Sequence, residues 1–595
     1  MLVERLAASP NPQFSRPNWT DLGGEWRFRF DDDDRGMRER WFTNPALLDR
    51  TITVPYPPES ALSGIDDKSF HPISWYALAI EDSRNDPSKR LILHFGAVDY
   101  HATVWVDGVQ VGEHRGGNTP FEFDVTDALD VDGSADAHWV VVRAHDDPHD
   151  AEQPRGKQDW LAEPHVIWYH RTSGIWQPVW TEVTPANRIL SVRWRFDAVR
   201  SLVDYEVELS RRPGPDATLR IDLEFEGAAI SSVNTTAASR TIAGQMHLGS
   251  GPRTMESGRL LWSPGQPNLI GAELTFHEDG LNDVVQSYLG LRTLELSGRR
   301  FLINGRSVFL RFVLNQGYWP ESQLAAPSPE ALKREVELIQ QLGFNGARIH
   351  QKIENPRFIY WADRLGLLLW GETANAFTYS ERAINRHLDE WREALIRDRN
   401  HPSIIAWVPF NESWGISEVG HSDPQQHAVK AAYHRTHTLD GTRPVIGNDG
   451  WENVIGDLFT IHDYQWDPQV LHDRYSTESQ LPDTMANFFP GARHLTVGGF
   501  ETAGKPVMVT EFGGVSFAPD SDEQWFGYGK VGSQEAFAEK YRELTDALSE
   551  SSLICGFCYT QLTDTEQETN GLLTADREPK LPFDELSAIT RGERS

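Results

Sequence analysis

Apolar and polar positions alternate with a period of two through most of the first half of the chain. Ile92 to Val106 is dense in β-branched and aromatic residues, and Asp107-Gly108 separates it from Val109-Gln110-Val111. An Asp-Gly pair between such runs predicts a tight hairpin, because both turn positions need positive φ. Phe121 to Val125 and His138 to Arg143 read as further short strands. Residues 1–185 are therefore expected to form an all-β jelly-roll sandwich. Farther on, Leu219, Ile221, Leu223 and Phe225 alternate with Arg220, Asp222 and Glu224. This pattern predicts an immunoglobulin-like sandwich over residues 186–295.

The period then changes. Phe301-Leu302-Ile303 and Val308-Phe309-Leu310 flank an Asn304-Gly305 turn, and after them apolar runs alternate with helical faces. Ser328 is placed to cap a helix with Pro329 at its first position, Leu332, Val336, Ile339 and Leu342 as its apolar face and Gly343 as its stop. Asn355-Pro356 opens a second helix that ends near Gly366. Eight strand-like runs fall near Phe309–Val313, Gly346–His350, Leu367–Trp370, Ile404–Pro409, Val445–Asn448, Leu458–His462, Val507–Thr510 and Ile554–Thr560. Eight strands alternating with helices predict a C-terminal (β/α)8 TIM barrel over residues 296–595, the third part of a multidomain chain.

Composition narrows the partners. The 595 residues hold 56 Lys and Arg against 87 Asp and Glu, a net charge of −31. Such a surface repels nucleic-acid phosphates and anionic lipid, so neither is an expected partner. The only cysteines, Cys555 and Cys558, lie in the apolar run Leu553 to Tyr559 and read as buried thiols in a strand rather than a redox pair. The N-terminal residues lack an apolar leader segment and no run of about 18 apolar residues occurs. The cytoplasm is the expected location, with no membrane association.

In a barrel, chemistry gathers where strands end. The successive runs deliver Arg348-Ile349-His350, Gly371-Glu372, Asn411-Glu412, Asn448-Asp449, His462-Asp463-Tyr464, Glu511, and lastly Tyr559, Gln561 and Asp564. Any one of these is more often structural, but their recurrence at one end predicts a pocket. Glu412 and Glu511 end the fourth and seventh runs, nearly opposite across a barrel mouth. Retaining glycoside hydrolysis needs two carboxyl groups about 5–5.5 Å apart, one ionised to attack and one protonated to assist departure. The competing reading is two strand-end carboxylates in salt bridges.

The run Arg397-Asp398-Arg399-Asn400-His401-Pro402-Ser403-Ile404-Ile405-Ala406-Trp407-Val408-Pro409-Phe410-Asn411-Glu412 resembles the acid/base signature of glycoside hydrolase family 2. Thr510-Glu511-Phe512-Gly513-Gly514 is similar to that family's nucleophile segment. Trp19 with Gly23-Gly24-Glu25-Trp26, Asp107-Gly108, Arg171 to Gln177, and Leu302-Ile303-Asn304-Gly305 extend the likeness over essentially the whole chain. The resemblance implies Glu511 as nucleophile, Glu412 as acid/base and Asn411 as the partner of a sugar 2-hydroxyl. It also implies that Arg348 and Tyr464 hold Glu511 ionised, and that His350 and Trp414 line the pocket. Many members carry a tryptophan platform near the end of the eighth strand. Here Phe557-Cys558-Tyr559-Thr560-Gln561 stands there, and Tyr559 is the expected substitute.

The implied function is an exo-acting retaining β-glycosidase on a carbohydrate substrate, β-galactosidase leading by family prevalence and β-glucuronidase, β-mannosidase or another exo-glycosidase of the family the alternative. β-Glucuronidases of the family usually present an Asn-x-Lys element to the substrate carboxylate, and no Asn here has Lys two positions later. A carbohydrate-binding protein on an inactive barrel and a scaffold subunit are the readings from other classes. Family members are often dimers or tetramers, so a homo-oligomer is compatible. No metal site and no cofactor is expected: HExxH is absent, and His434 with His437 and His145 with His149 read as structural.

Overall fold

The computed structural model describes residues 2–129, 137–248, 255–518 and 528–593. In the first part, six antiparallel strands run in the order Arg50–Val54, Gly24–Phe30, Ile73–Ile80, His138–His145, His101–Val106 and Val109–Arg115. They pack on a four-stranded sheet of Trp19–Asp21, Val179–Pro185, Lys89–Phe95 and Phe121–Asp124. Trp26, Phe28, Tyr76, Leu93, Val104 and Val142 fill the space between. The expected hairpin is present, with φ of 48° at Asp107 and 79° at Gly108.

A second sandwich follows. Ile189–Asp197, Leu202–Leu209 and Thr241–His247 face Ala228–Thr236, Thr218–Phe225, Ile270–Glu278 and Leu281–Leu289. Leu219, Ile221, Leu223 and Phe225 are buried, as their alternation requires. A small sheet of Leu294–Ser297, Arg300–Ile303 and Arg306–Ser307 then leads to the barrel, with Phe301 and Ile303 packed against its lower core.

Seven barrel strands are regular. They are β1 (Leu310–Asn315), β2 (Gly346–Ile349), β3 (Leu368–Glu372), β4 (Ile404–Val408), β5 (Phe459–His462), β6 (Val507–Gly513) and β7 (Ile554–Thr560). All pair in parallel, in the order β4-β3-β2-β1-β7-β6-β5. The expected strand at Val445–Asn448 is not a regular one. That segment pairs with the β4 side through single bridges, Trp407 to Val445 and Asn411 to Asp449, rather than a continuous ladder. Its own backbone folds back instead: Gly447 donates to the Ile455 carbonyl at 3.1 Å and Ile446 bridges Gly456. A side chain at Gly447 would meet the Ile455 oxygen at 2.3 Å, so glycine permits that close approach.

The helices α1 (Pro329–Gln341), α2 (Pro356–Leu365), α3 (Glu381–Asp398), α4 (Asp423–Leu439) and α5 (Gln534–Ser549) cover the outside. Ser328 accepts from the Ala331 amide and Asn355 from the Arg357 amide, capping α1 and α2 where the side-chain types predict. Strand parity divides the core. Phe312, Trp370, Met508 and Cys558 point to the axis, while Val313, Leu369, Val509 and Phe557 pack under the helices. Both cysteines are free and buried. Among the described residues no helix is long and apolar enough to cross a membrane.

Candidate active site

Arg348, on the axial face of β2, is fully buried and organises the barrel mouth. Its Nε donates to Glu372 at the end of β3. Its Nη1 meets Asp449 at 2.8 Å and Glu511 Oε1 at 3.1 Å, and Nη2 donates to Asn411 Oδ1 at 2.8 Å. Burial opposes its charge, but the carboxylates of Asp449, Glu372 and Glu511 raise its pKa well above the usual arginine value. The guanidinium is thus fixed as a cation against the base of Glu511.

Glu511 extends from β6 and accepts a second hydrogen bond, at Oε2, from the Tyr464 hydroxyl. The Tyr464 ring lies flat on Tyr528, with centroids 3.4 Å apart. Glu412 follows β4 on a turn with φ of 50° at Glu412 and 60° at Ser413. That left-handed pair is sparsely populated for such residues and swings the carboxyl over the mouth. Glu412 Oε1 meets His462 Nδ1 at 2.8 Å. One carboxylate oxygen each of Glu412 and Glu511 and a His462 ring nitrogen lie within 4.8 Å of one another.

These contacts set the charges. Burial alone would lower the His462 imidazole, but Glu511 and Asp449 raise it to about 10. Burial would raise Glu412, yet the hydrogen bond and charge of His462, with Lys157 and His350 behind it, hold it below the usual glutamate value. Asp449 is pulled far down by Arg348 and His462 against its burial. Burial lowers His350, which sits 3.4 Å from Glu372. Glu412, His462 and Glu511 are also the group among the described residues whose donor atoms come close enough to invite a cation. An ion there would have to displace the proton that the imidazole holds.

Residues 294–590 match the glycosyl hydrolases family 2 TIM barrel domain, and residues 19–179 match the sugar binding domain of the same family. The chain belongs to glycoside hydrolase family 2. It is 24% identical to a β-glucuronidase of Canis lupus familiaris over 94% of this chain and 88% of that one. It is 25% identical to a β-galactosidase of Thermoanaerobacter pseudethanolicus over 75% of this chain and 56% of that one. In fold it resembles an uncultured Clostridium β-glucuronidase, with a TM-score of 0.76 at 20% identity and 98% of each chain covered.

In this family 2 chain the first domain also builds part of the mouth, which pattern reading did not foresee. A long excursion between His138–His145 and Val179–Pro185 crosses to the barrel. The Arg155 and Gly156 amides donate to the Asn375 carbonyl at 3.1 and 3.0 Å. Tyr169 donates its hydroxyl to Glu568, and Gln567 Nε2 donates to the Trp168 carbonyl at 2.7 Å. Trp168 meets Trp414 edge to face at 5.2 Å, and Phe377 and Trp160 complete an aromatic rim. Lys157, 7% exposed, makes no hydrogen bond or ion pair with its ammonium among the described residues. Its charge nevertheless reaches Glu412 and Glu568. Burial pushes the Glu568 carboxyl up against that charge. No local motif marks Lys157, Trp168 or Tyr169, which become neighbours of the barrel only through domain packing, or Glu568, the barrel residue that Tyr169 meets.

Arg348, His350, Asn411, Glu412, Tyr464 and Glu511 meet in this one pocket, with Trp414 on its rim. Tyr559 does not, and the platform reading is corrected. It shares the parity of Phe557 and points outward from β7, packed on Phe512 at 5.6 Å and on Tyr541 of α5 at 4.8 Å. The residues flanking it, Cys558 and Thr560, face the axis, and Thr560 Oγ1 lies 3.1 Å from the Tyr464 hydroxyl oxygen. Asp463 and Asp564 also turn away, into Arg474 with Tyr475 and into Lys580.

Proposed function

We propose that the chain is a retaining exo-β-glycosidase in which Glu511 attacks the anomeric carbon and Glu412 serves as acid/base. The observation that carries this reading is the approach of the two carboxylates to within 4.8 Å across the mouth. Double displacement fits that separation, whereas inversion needs about 6.5–9.5 Å to lodge a water. Glu511 accepts from Arg348 and Tyr464, the arrangement expected of an ionised nucleophile. Glu412 lies beside the half-exposed Trp414, where an aglycone would leave. Asn411 Nδ2 is buried without a partner among the described residues, a donor available to a sugar hydroxyl.

Glu511→Ala is expected to abolish turnover, with azide restoring some activity and giving the α-azide sugar. For Glu412→Ala with a good leaving group, azide is expected to give the β-azide. The reverse pattern would exchange the two roles, and wild-type rates in both variants would refute the site.

For the glycone, a β-glucuronide takes precedence over the β-galactoside that family prevalence favours. The Canis relative is a β-glucuronidase over nearly the full chain, while the galactosidase shares a shorter stretch. The chain lacks the Asn-x-Lys element, but Lys157 offers a buried ammonium that makes no ion pair with a carboxylate among the described residues. A uronate would give that ammonium the direct ion pair that Glu412 and Glu568, acting on it only at longer range, do not form. Lys157→Met is expected to lower kcat/KM for an aryl β-glucuronide about 100-fold, the scale of a lost charge-assisted bond, and to change an aryl β-galactoside little. Parallel assays on both substrates check this. Equal losses on the two would remove Lys157 from glycone selection.

A further inference from the structure

His462 occupies a position that the two-carboxylate mechanism does not use. It ends β5, is fully buried, and stands between both glutamates. Its Nε2 faces Asp449 Oδ2 at 3.1 Å, so that nitrogen carries a hydrogen toward the carboxylate. Nδ1 is left facing Glu412 Oε1 at 2.8 Å, with Glu511 Oε2 at 3.5 Å. At 2.8 Å one hydrogen lies between Nδ1 and the carboxylate, bound either to an imidazolium or to a carboxylic acid.

Building on the glycosidase reading above, we propose that His462 and Glu412 share the acid/base proton, His462 being the positioning residue that stores it.

The charged groups around the imidazole come from four directions. Glu412 follows β4, Glu511 comes from β6, Asp449 from the irregular fifth segment, and Arg348 from β2 with Nη1 at 3.3 Å from Nε2. Three carboxylates against one guanidinium favour a positive imidazole. In the empty site the proton rests on Nδ1 and Glu412 is ionised beside it. When Glu511 forms its bond to the anomeric carbon, the glycosidic bond breaks with its electron pair on the leaving oxygen. Nδ1 hands its single proton to Glu412, and the leaving oxygen takes that same proton from the carboxyl group. The pair is left as carboxylate and neutral imidazole. The attacking water restores one proton to the pair as its oxygen displaces Glu511 from the sugar, and the cycle closes.

The pair loses its last proton at higher pH than a lone Glu412 would, because the imidazolium is stabilised by carboxylates on three sides. His462→Asn keeps a hydrogen-bond donor but cannot hold an exchangeable charge. In the full-length protein, this variant is expected to bring the alkaline limb of the kcat/KM profile down by about one pH unit or more. Its loss on an alkyl glycoside is expected to exceed that on a dinitrophenyl glycoside by about 10-fold or more, since only the poor leaving group needs the proton. An unmoved limb with equal losses on both substrates would overturn the proposal. Nitrogen-15 NMR of the histidine rings provides a measurement independent of that variant's folding. One imidazolium is expected to persist above about pH 8 in the wild type and to titrate lower in Glu412→Gln. Finding every imidazole neutral at that pH would equally overturn it. The titration needs no substrate, so an inactive wild type would remove the glycosidase reading while the shared proton stays measurable.

Discussion

Arg348 contacts Glu372, Asp449, Glu511, Asn411 and the Thr510 carbonyl at once, and that crowding explains how so many ionisable groups share one buried mouth. A carboxylate removed from water is tolerable only when opposite charge and hydrogen bonds replace its hydration. Tyr464 contributes the neutral part of that replacement. Tyr464→Phe keeps the flat ring contact with Tyr528 and deletes the donor to Glu511 along with the contact to Thr560 Oγ1. A hydrogen bond to a charged group is worth about 1.5–3 kcal/mol, so kcat is expected to fall roughly 10- to 100-fold in steady-state assays, with thermal stability nearly unchanged. An undiminished kcat would show that Arg348 alone orients the nucleophile. Tyr559 teaches the complementary lesson. Its residue type suits a sugar platform, but one step along a strand reverses the face.

At the scale of elements, short helices and strands place the site through ordinary local rules. α1 and α2 begin at capping side chains followed by proline and end where Gly343 and Gly366 adopt φ of 88° and 79°. The element that departs from the rule is the excursion of the first domain across the barrel mouth. Gly156 anchors it with φ of 60°, and a Cβ there would sit 2.2 Å from the Gln351 carbonyl oxygen. Backbone cannot yield as a flexible side chain does. Gly156→Ala is therefore expected to lift the Lys157–Tyr169 wall off the barrel. Its effect should be a rise in KM of about 10-fold, one lost contact's worth, with far-ultraviolet circular dichroism unchanged. An unaltered KM would mean that this wall takes no part in binding.

Across the whole molecule, the three folded parts are joined by buried polar contacts. Arg16 spans the two sandwiches, meeting Glu182 and Asp283 each at 2.8 Å. Between the first sandwich and the barrel, Glu390 of α3 accepts from Asn118 Nδ2 at 2.7 Å and from the Gly117 amide at 3.2 Å. Burial, with the nearby Glu393 charge, pushes the Glu390 carboxyl up to about 7. The folded state then binds this proton more tightly than the unfolded chain. Stability from Glu390 is full below about 4.5 and is lost as pH rises through about 7. The expected outcome is a melting temperature that falls between pH 5 and pH 8, with the fall reduced in Glu390→Gln. Identical pH dependence in that variant and the wild type would place the sensitivity elsewhere.

Much of the fold and of the site is legible in the sequence alone, for a physical reason in each case. Alternation along Leu219–Phe225 depends only on the two-residue period of a strand, and the caps at Ser328 and Asn355 only on neighbours within three positions. Glu412 and Glu511 stood out because each closes an apolar run at the end of the barrel where side chains converge. The irregular segment at Val445–Asp449 was hidden because its bonding to Ile455 and Gly456 competes with the strand ladder, and the apolar pattern is the same for either outcome. Tyr559's face depended on the register of β7, which includes a bulge between its pairings with β6. Lys157, Trp168 and Tyr169 reach the site across hundreds of positions through domain packing, and His462 acquires its charge only from the carboxylates that three separate segments bring around it. Local propensity acts through adjacent residues, whereas burial and electrostatic coupling depend on distances that exist only once the chain has folded.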